Sequence, residues 1–149
     1  MSDRKRIVEI ARSWIGTPYR HQAACRGAGA DCLGLVRGVW RELLGAEPEA
    51  VPAYSMDWSE PQGEERLWAA AKRHLHSVVL GELAFDPGDV VLFRMRSGSV
   101  AKHLGIIAET KHSSSFVHAY ANHGVVESPL SAPWKTRIVA RFKFPMENF

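Results

Sequence analysis

Asp86-Pro87-Gly88-Asp89-Val90-Val91-Leu92-Phe93 divides the chain into two regimes of hydrophobic spacing. Pro87-Gly88 is turn chemistry, and the apolar run that follows Asp89 is short enough to predict a strand. Downstream, His103 to Ala108, Phe116 to Tyr120, Gly124 to Glu127 and Ile138 to Phe142 read as further short strands. Upstream the spacing is helical. Ile7, Ile10, Ala11 and Trp14 recur on one face behind Asp3, a residue that can cap, and Gly16-Thr17-Pro18 stops that helix. Asp31 sits where an N-cap belongs, Leu35, Val36, Val39, Trp40 and Leu43 form one apolar face, and Gly45 ends the second helix. Ser59-Glu60-Pro61-Gln62 resembles a capping box, with Leu67, Trp68, Ala71 and Leu75 continuing it as a middle helix. Helices first and an antiparallel sheet afterwards predict an α+β fold, with N-terminal helices packed on a sheet of about five strands.

The chain has 149 residues, 46% of them apolar, which fits one domain over 1–149 with one core and directs attention to one active site. Its net charge of +3 comes from scattered Lys and Arg, without a block of like charges of the kind that grips nucleic acid, so no nucleic-acid partner is expected. A mildly basic protein is compatible with an anionic polymer. The charged start, Met1-Ser2-Asp3-Arg4-Lys5-Arg6, is not followed by an apolar segment of signal-peptide type, and no run approaches the ~18 apolar residues that span a bilayer. The expectation is a chain made in the cytoplasm, without a membrane span.

Two cysteines, Cys25 and Cys32, are too few for a disulfide scaffold, which turns attention to thiol chemistry. Cys32 falls in the first turn of the second helix, where unpaired N–H groups and the macrodipole favour a thiolate. Free cysteine is also a common small core residue, so position alone decides nothing. His103 opens a strand on which His103, Gly105 and Ile107 share a face, and an imidazole there can meet a helix packed across the sheet, as a Cys/His pair requires. A third polar group would orient that imidazole. His118, on the next strand with Phe116 and Tyr120, is the choice; Asn122, His112 and His123 are neighbouring alternatives. His74 and His76 carry no such signal. No His-x-x-x-His or Cys-x-x-Cys spacing is present, so neither a metal nor another cofactor is expected. Cys25 lies in a Gly-rich loop, and a regulatory disulfide to Cys32 is an alternative use for it.

Pro18-Tyr19, Asp31-Cys32-Leu33-Gly34-Leu35, Pro87-Gly88-Asp89 and His103-Leu104-Gly105-Ile106 together, in this order, resemble the NlpC-type cell-wall peptidases. The resemblance covers nearly the whole chain and implies a papain-like fold with Cys32 as nucleophile, His103 as base and His118 as the third member. It also implies that Tyr19, with the Cys32 backbone N–H, forms the oxyanion site, where losing one donor typically costs ~10²–10³ in turnover. Its implied substrate is an amide bond of a peptidoglycan stem peptide, next to D-glutamate. Two positions differ from the family pattern: Leu33 stands where Ser is usual, and Arg20-His21-Gln22-Ala23 where a Gly pair is usual. The lack of a visible signal peptide is similar to stand-alone members carried by phages or phage-like gene-transfer particles, which implies tail-particle proteins as further partners and the cell wall as site of action. Two other readings share the scaffold, an inactive module of a tail-like assembly and a thiol acyltransferase.

Overall fold

The structure, a computed structural model, describes residues 3–51, 63–81 and 84–146. Helix α1 runs over Asp3–Ser13 and buries Ile7, Val8 and Ala11. A hairpin of two-residue strands, β1 (Ala24–Cys25) and β2 (Gly29–Ala30), then leads into α2 (Cys32–Leu44). The N-cap of α2 forms as expected: Asp31 is extended and its carboxylate accepts the Gly34 N–H at 2.7 Å. Gly45, at φ 88°, closes the helix by donating its N–H to the Arg41 carbonyl. Helix α3 (Arg66–His74) carries the middle apolar face. The expected capping box at 59–62 and the aromatic residues Tyr54 and Trp58 lie outside the described residues, whereas Trp68 packs on the core.

One antiparallel sheet takes the rest. Its strands are β3 (His76–Val78), β4 (Val90–Phe93), β5 (His103–Glu109), β6 (Ser115–Tyr120), β7 (Gly124–Pro129) and β8 (Ile138–Lys143), in the order β3-β8-β4-β5-β6-β7. Six strands replace the expected five or so because β3, three exposed or half-buried residues paired only with β8, is too short to announce itself by alternation. The small hairpin β1-β2 and a single-turn helix α4 (Ala132–Lys135) are likewise additions to the sequence reading.

Both faces of the central strands are covered, which explains the unbroken apolar run Val90–Phe93. Val90, Leu92, Leu104, Ile106 and Val117 face the helices and pack with Ile7, Ala11, Leu35 and Val39. Val91, Phe93, Ile107, Phe116 and Ile138 form a second cluster on the opposite face, closed by Leu130 and by Trp134 of α4. Among the described residues, no helix is long and apolar enough to cross a membrane.

Candidate active site

The site is assembled where the start of α2 meets the start of β5. Gly34 makes the approach feasible: a Cβ there would lie 1.8 Å from the Ala23 carbonyl oxygen, so only glycine lets the loop run against the first turn of the helix. That loop is pinned to the cap, since the Gln22 N–H donates to the second Asp31 oxygen at 2.7 Å and the Asp31 N–H to the Ala23 carbonyl at 3.2 Å. Gln22 adopts φ 66°, a left-handed conformation that glycine takes freely and a side-chain-bearing residue only with strain, in the stretch where the resemblance implies a Gly pair. Tyr19 is held beside Ala30 by a parallel bridge, with the Ala30 N–H donating to Pro18 and the Arg20 N–H to Ala30.

The Cys32 thiol does not meet β5 through a facing side chain. Its S–H donates to the Lys102 carbonyl at 3.5 Å, and the Leu104 N–H also points at the sulfur. His103, by strand alternation, projects to the other face, where its ring lies 5.6 Å from Phe93 and 5.7 Å from Trp134. The expectation of an imidazole facing the helix across the sheet is therefore corrected. The two groups come together around the first residue of a strand, by way of its backbone edge, and no hydrogen bond joins them in this resting geometry.

His103 and His118 are in direct contact. His103 Nε2 lies 2.7 Å from His118 Nδ1, and His118 Nε2 lies 2.9 Å from Ser128 Oγ. Gly105 is what makes room: a Cβ there would lie 2.7 Å from the Phe116 ring, which itself packs 4.2 Å from the His118 ring. With Nε2 engaged, Nδ1 of His103 is the nitrogen left for a substrate or thiol. Of the neighbouring alternatives, Asn122, His112 and His123 are exposed outside the strands, and His123 stacks on Tyr120. His74 pairs with Glu49 and His76 is an exposed edge residue. Cys25 and Cys32 are both free thiols. Among the described residues no cluster of His, Cys, Asp and Glu has the makings of a metal site.

Burial sets the electrostatics. It pushes the Cys32 thiol up to about 12, with the Asp31 carboxylate adding to the rise, and the N–H groups of Leu104, Leu33 and Cys32 only partly offset this. The helix start by itself predicts the reverse, a lowered thiol pKa; crowding of the sulfur and a buried carboxylate one residue away outweigh it. Burial, then the neighbouring His118, lowers His103 to about 3, and burial, then His123, lowers His118 to about 4. The resting pair is thus neutral thiol and neutral imidazole. Tyr19 is driven up to about 12 by burial and by Cys32 and Asp31, so its phenol keeps its proton, and that hydroxyl has no protein partner among the described residues. Alkylation of Cys32 in the free protein is expected to accelerate by about tenfold per pH unit from pH 7 to 10 as thiolate forms. A rate that levels off below pH 7 would mean a preformed thiolate–imidazolium pair and contradict this.

Sequence reasoning missed Ser128 and Trp134. Ser128 was legible in principle, because Phe116 pairs with Ser128 and His118 with Val126, which sets Ser128 diagonal to His118 on one face. The expected strand stopped one residue short of it. A cavity of about 360 Å³ runs beside α2, lined among others by Val36, Trp40 and Leu67, and Leu33 and Leu104 bring it to the neighbours of Cys32 and His103.

Comparison with known proteins agrees with this arrangement of elements. The family model described as "NlpC/P60 family" matches residues 16–143. The chain is 30% identical over 135 residues to the Escherichia coli K12 protein named murein DD-endopeptidase MepS/murein LD-carboxypeptidase, covering 90% of this chain and 59% of that protein. It is 28% identical over 148 residues to the γ-DL-glutamyl hydrolase of Bacillus subtilis 168, covering 95% of this chain and 31% of the relative. The chain thus spans less than two thirds of the length of the first relative and about a third of the second. Among solved structures, the NlpC/p60 domain of the peptidoglycan hydrolase SagA superposes with a TM-score of 0.62 at 18% identity, over 96% of this chain and all of that domain, a likeness of fold.

Proposed function

The chain belongs to the NlpC/P60 family, and on that premise we propose that it hydrolyses amide bonds in peptidoglycan stem peptides, with Cys32 as nucleophile and His103 as base. The observation that supports the reading is that two separate contacts lie at the same end of β5: the Cys32 thiol on the Lys102 carbonyl, and the chain His103–His118–Ser128. The S–H turns from the Lys102 carbonyl to His103 Nδ1, which takes the proton as sulfur attacks the amide carbon. Because both groups rest neutral, proton transfer and attack are coupled. The oxyanion that forms is met by the Cys32 N–H, a first-turn donor without an intrahelical acceptor, and by the Tyr19 hydroxyl. His103 then returns the proton to the leaving amine, and water, deprotonated by the same nitrogen, releases the acyl group from sulfur.

The names of the relatives, an endopeptidase/carboxypeptidase of murein and a γ-DL-glutamyl hydrolase, support the substrate class, and the second supports a scissile bond next to glutamate. Leu33, where the family has Ser, gives the cavity beside the nucleophile an apolar wall and favours an apolar substituent there. Action at the cell wall, in association with a phage-like particle, belongs to the same reading on the strength of the sequence resemblance; co-purification with particles tests it. Digestion of purified sacculi followed by mass spectrometry tests the activity. Stem peptides with a new amino terminus are the expected product; intact muropeptides after prolonged digestion by folded protein would overturn the reading.

A further inference from the structure

We propose that Ser128 is a positioning residue of this site: its Oγ is the acceptor that holds His118 as the Nε2–H tautomer and so leaves His103 Nδ1 free to take the thiol proton. The inference rests on the reading of His103 as general base.

Three groups stand in line, and each gap holds one proton. His103 Nε2 and His118 Nδ1 are 2.7 Å apart, and His118 Nε2 and Ser128 Oγ 2.9 Å apart. Only two arrangements of the neutral chain satisfy both contacts. In one, His103 donates from Nε2, His118 accepts at Nδ1 and donates from Nε2, and Ser128 accepts; His103 Nδ1 then carries a lone pair. In the other every direction reverses, Ser128 donates, and Nδ1 of His103 bears the proton, which removes its capacity as a base. The chemistry selects between them. Once His103 has taken the thiol proton, both of its nitrogens are N–H, and His118 can receive Nε2–H only if its own proton is on Nε2 and pointed at an acceptor. The bond to Ser128 therefore strengthens as charge develops on His103, where it lowers the barrier. His118 is fully enclosed, with Phe116, Tyr120 and Trp134 rings around it. Ser128 is half-buried and, among the described residues, is the hydrogen-bonding partner of His118 Nε2.

Replacing serine by side chains of different hydrogen-bonding sense tests the direction. Ser128→Ala is expected to lower kcat about 10–100-fold, by analogy with the loss of an outer hydrogen-bond partner from a metal-ligating histidine, with KM within about twofold. Ser128→Thr is expected to restore the rate, and Ser128→Asp, which can only accept, to keep activity while moving the acid limb of the kcat/KM profile upward, because a carboxylate stabilises the imidazolium. Ring 15N shifts supply a readout independent of turnover: Nε2 of His118 should be of the protonated type and Nδ1 of the unprotonated type. Wild-type kcat in Ser128→Ala, an Asp variant as inactive as Ala beside an active Thr variant, or a protonated Nδ1 on His118 would each overturn the proposal. If Ser128→Ala does not fold, the wild-type ring shifts still decide. Failure of the underlying reading looks different, since there Cys32→Ala keeps its activity whatever residue 128 is.

Discussion

Gly34→Ala is expected to lose both hydrolytic activity and more than about 3 kcal/mol of stability, although it adds one methyl group at a helical position that otherwise favours alanine. The new carbon would stand 1.8 Å from the Ala23 carbonyl oxygen, 2.9 Å from its carbon and 3.1 Å from an Asp31 oxygen. The first two are backbone atoms and cannot rotate away. The loop must therefore leave the helix start, which breaks the Asp31 N–H bond to Ala23 and the Gln22 N–H bond to Asp31, and shifts Tyr19 with them. Leu43→Ala, half-buried at the far end of the same helix and outside the cavity lining, serves as control and should keep the activity to within a modest factor. Urea unfolding and peptidoglycan turnover on the same samples provide the check. A Gly34→Ala protein as stable and active as wild type would show that the loop does not need to lie against the nucleophile's helix.

The second large effect is structural and sits at the far end of β4 from the site. Asp89 is fully buried and accepts from Arg141 Nε at 2.6 Å and from the Asp86 N–H at 2.9 Å, while Arg4 lies 3.5 Å away. Arg141 is itself 5% exposed, with the half-exposed Asp86 as its other carboxylate partner at 3.0 Å. Asp89→Ala leaves that guanidinium buried with one partner and is expected to cost about 3–5 kcal/mol, the range for removing one side of a buried pair. The double variant Asp89→Leu, Arg141→Met should recover most of it, because replacing both charges removes the desolvation cost along with the attraction. Denaturant midpoints distinguish the two, and turnover per folded molecule should be unchanged in both. A single variant that loses less than about 1 kcal/mol would mean that the network contributes little.

Much of the fold was written in local chemistry. Asp31 and Gly45 bracket α2 because a short acceptor and a residue free to take positive φ are what helix ends require, and Val90–Phe93 reads as a strand buried on both faces. What escaped were elements too short to show a period: the two-residue strands of the hairpin, the edge strand His76–Val78, and α4, a single turn with Pro133 inside it. The site was legible in part for the same reason. The Asp31 cap was legible from its spacing to Gly34, and the neighbourhood of His103 and His118 from their places on successive strands, but the face His103 takes was not. The state of the thiol was not legible, since it depends on how closely Lys102 and Leu104 crowd the sulfur, a tertiary contact between residues seventy positions apart. Ser128 was legible only through the register between β6 and β7, which the expected strand, ending at Glu127, stopped one residue short of using.

Acid-quenched intact-mass analysis of the protein mixed with a stem-peptide substrate tests most directly whether Cys32 carries the reaction. The prediction is a transient mass increase equal to the acyl half of the substrate, mapped to the peptide that contains Cys32, and neither adduct nor turnover in Cys32→Ala. Turnover that survives in Cys32→Ala, or an acyl group found on Cys25 instead, would contradict it.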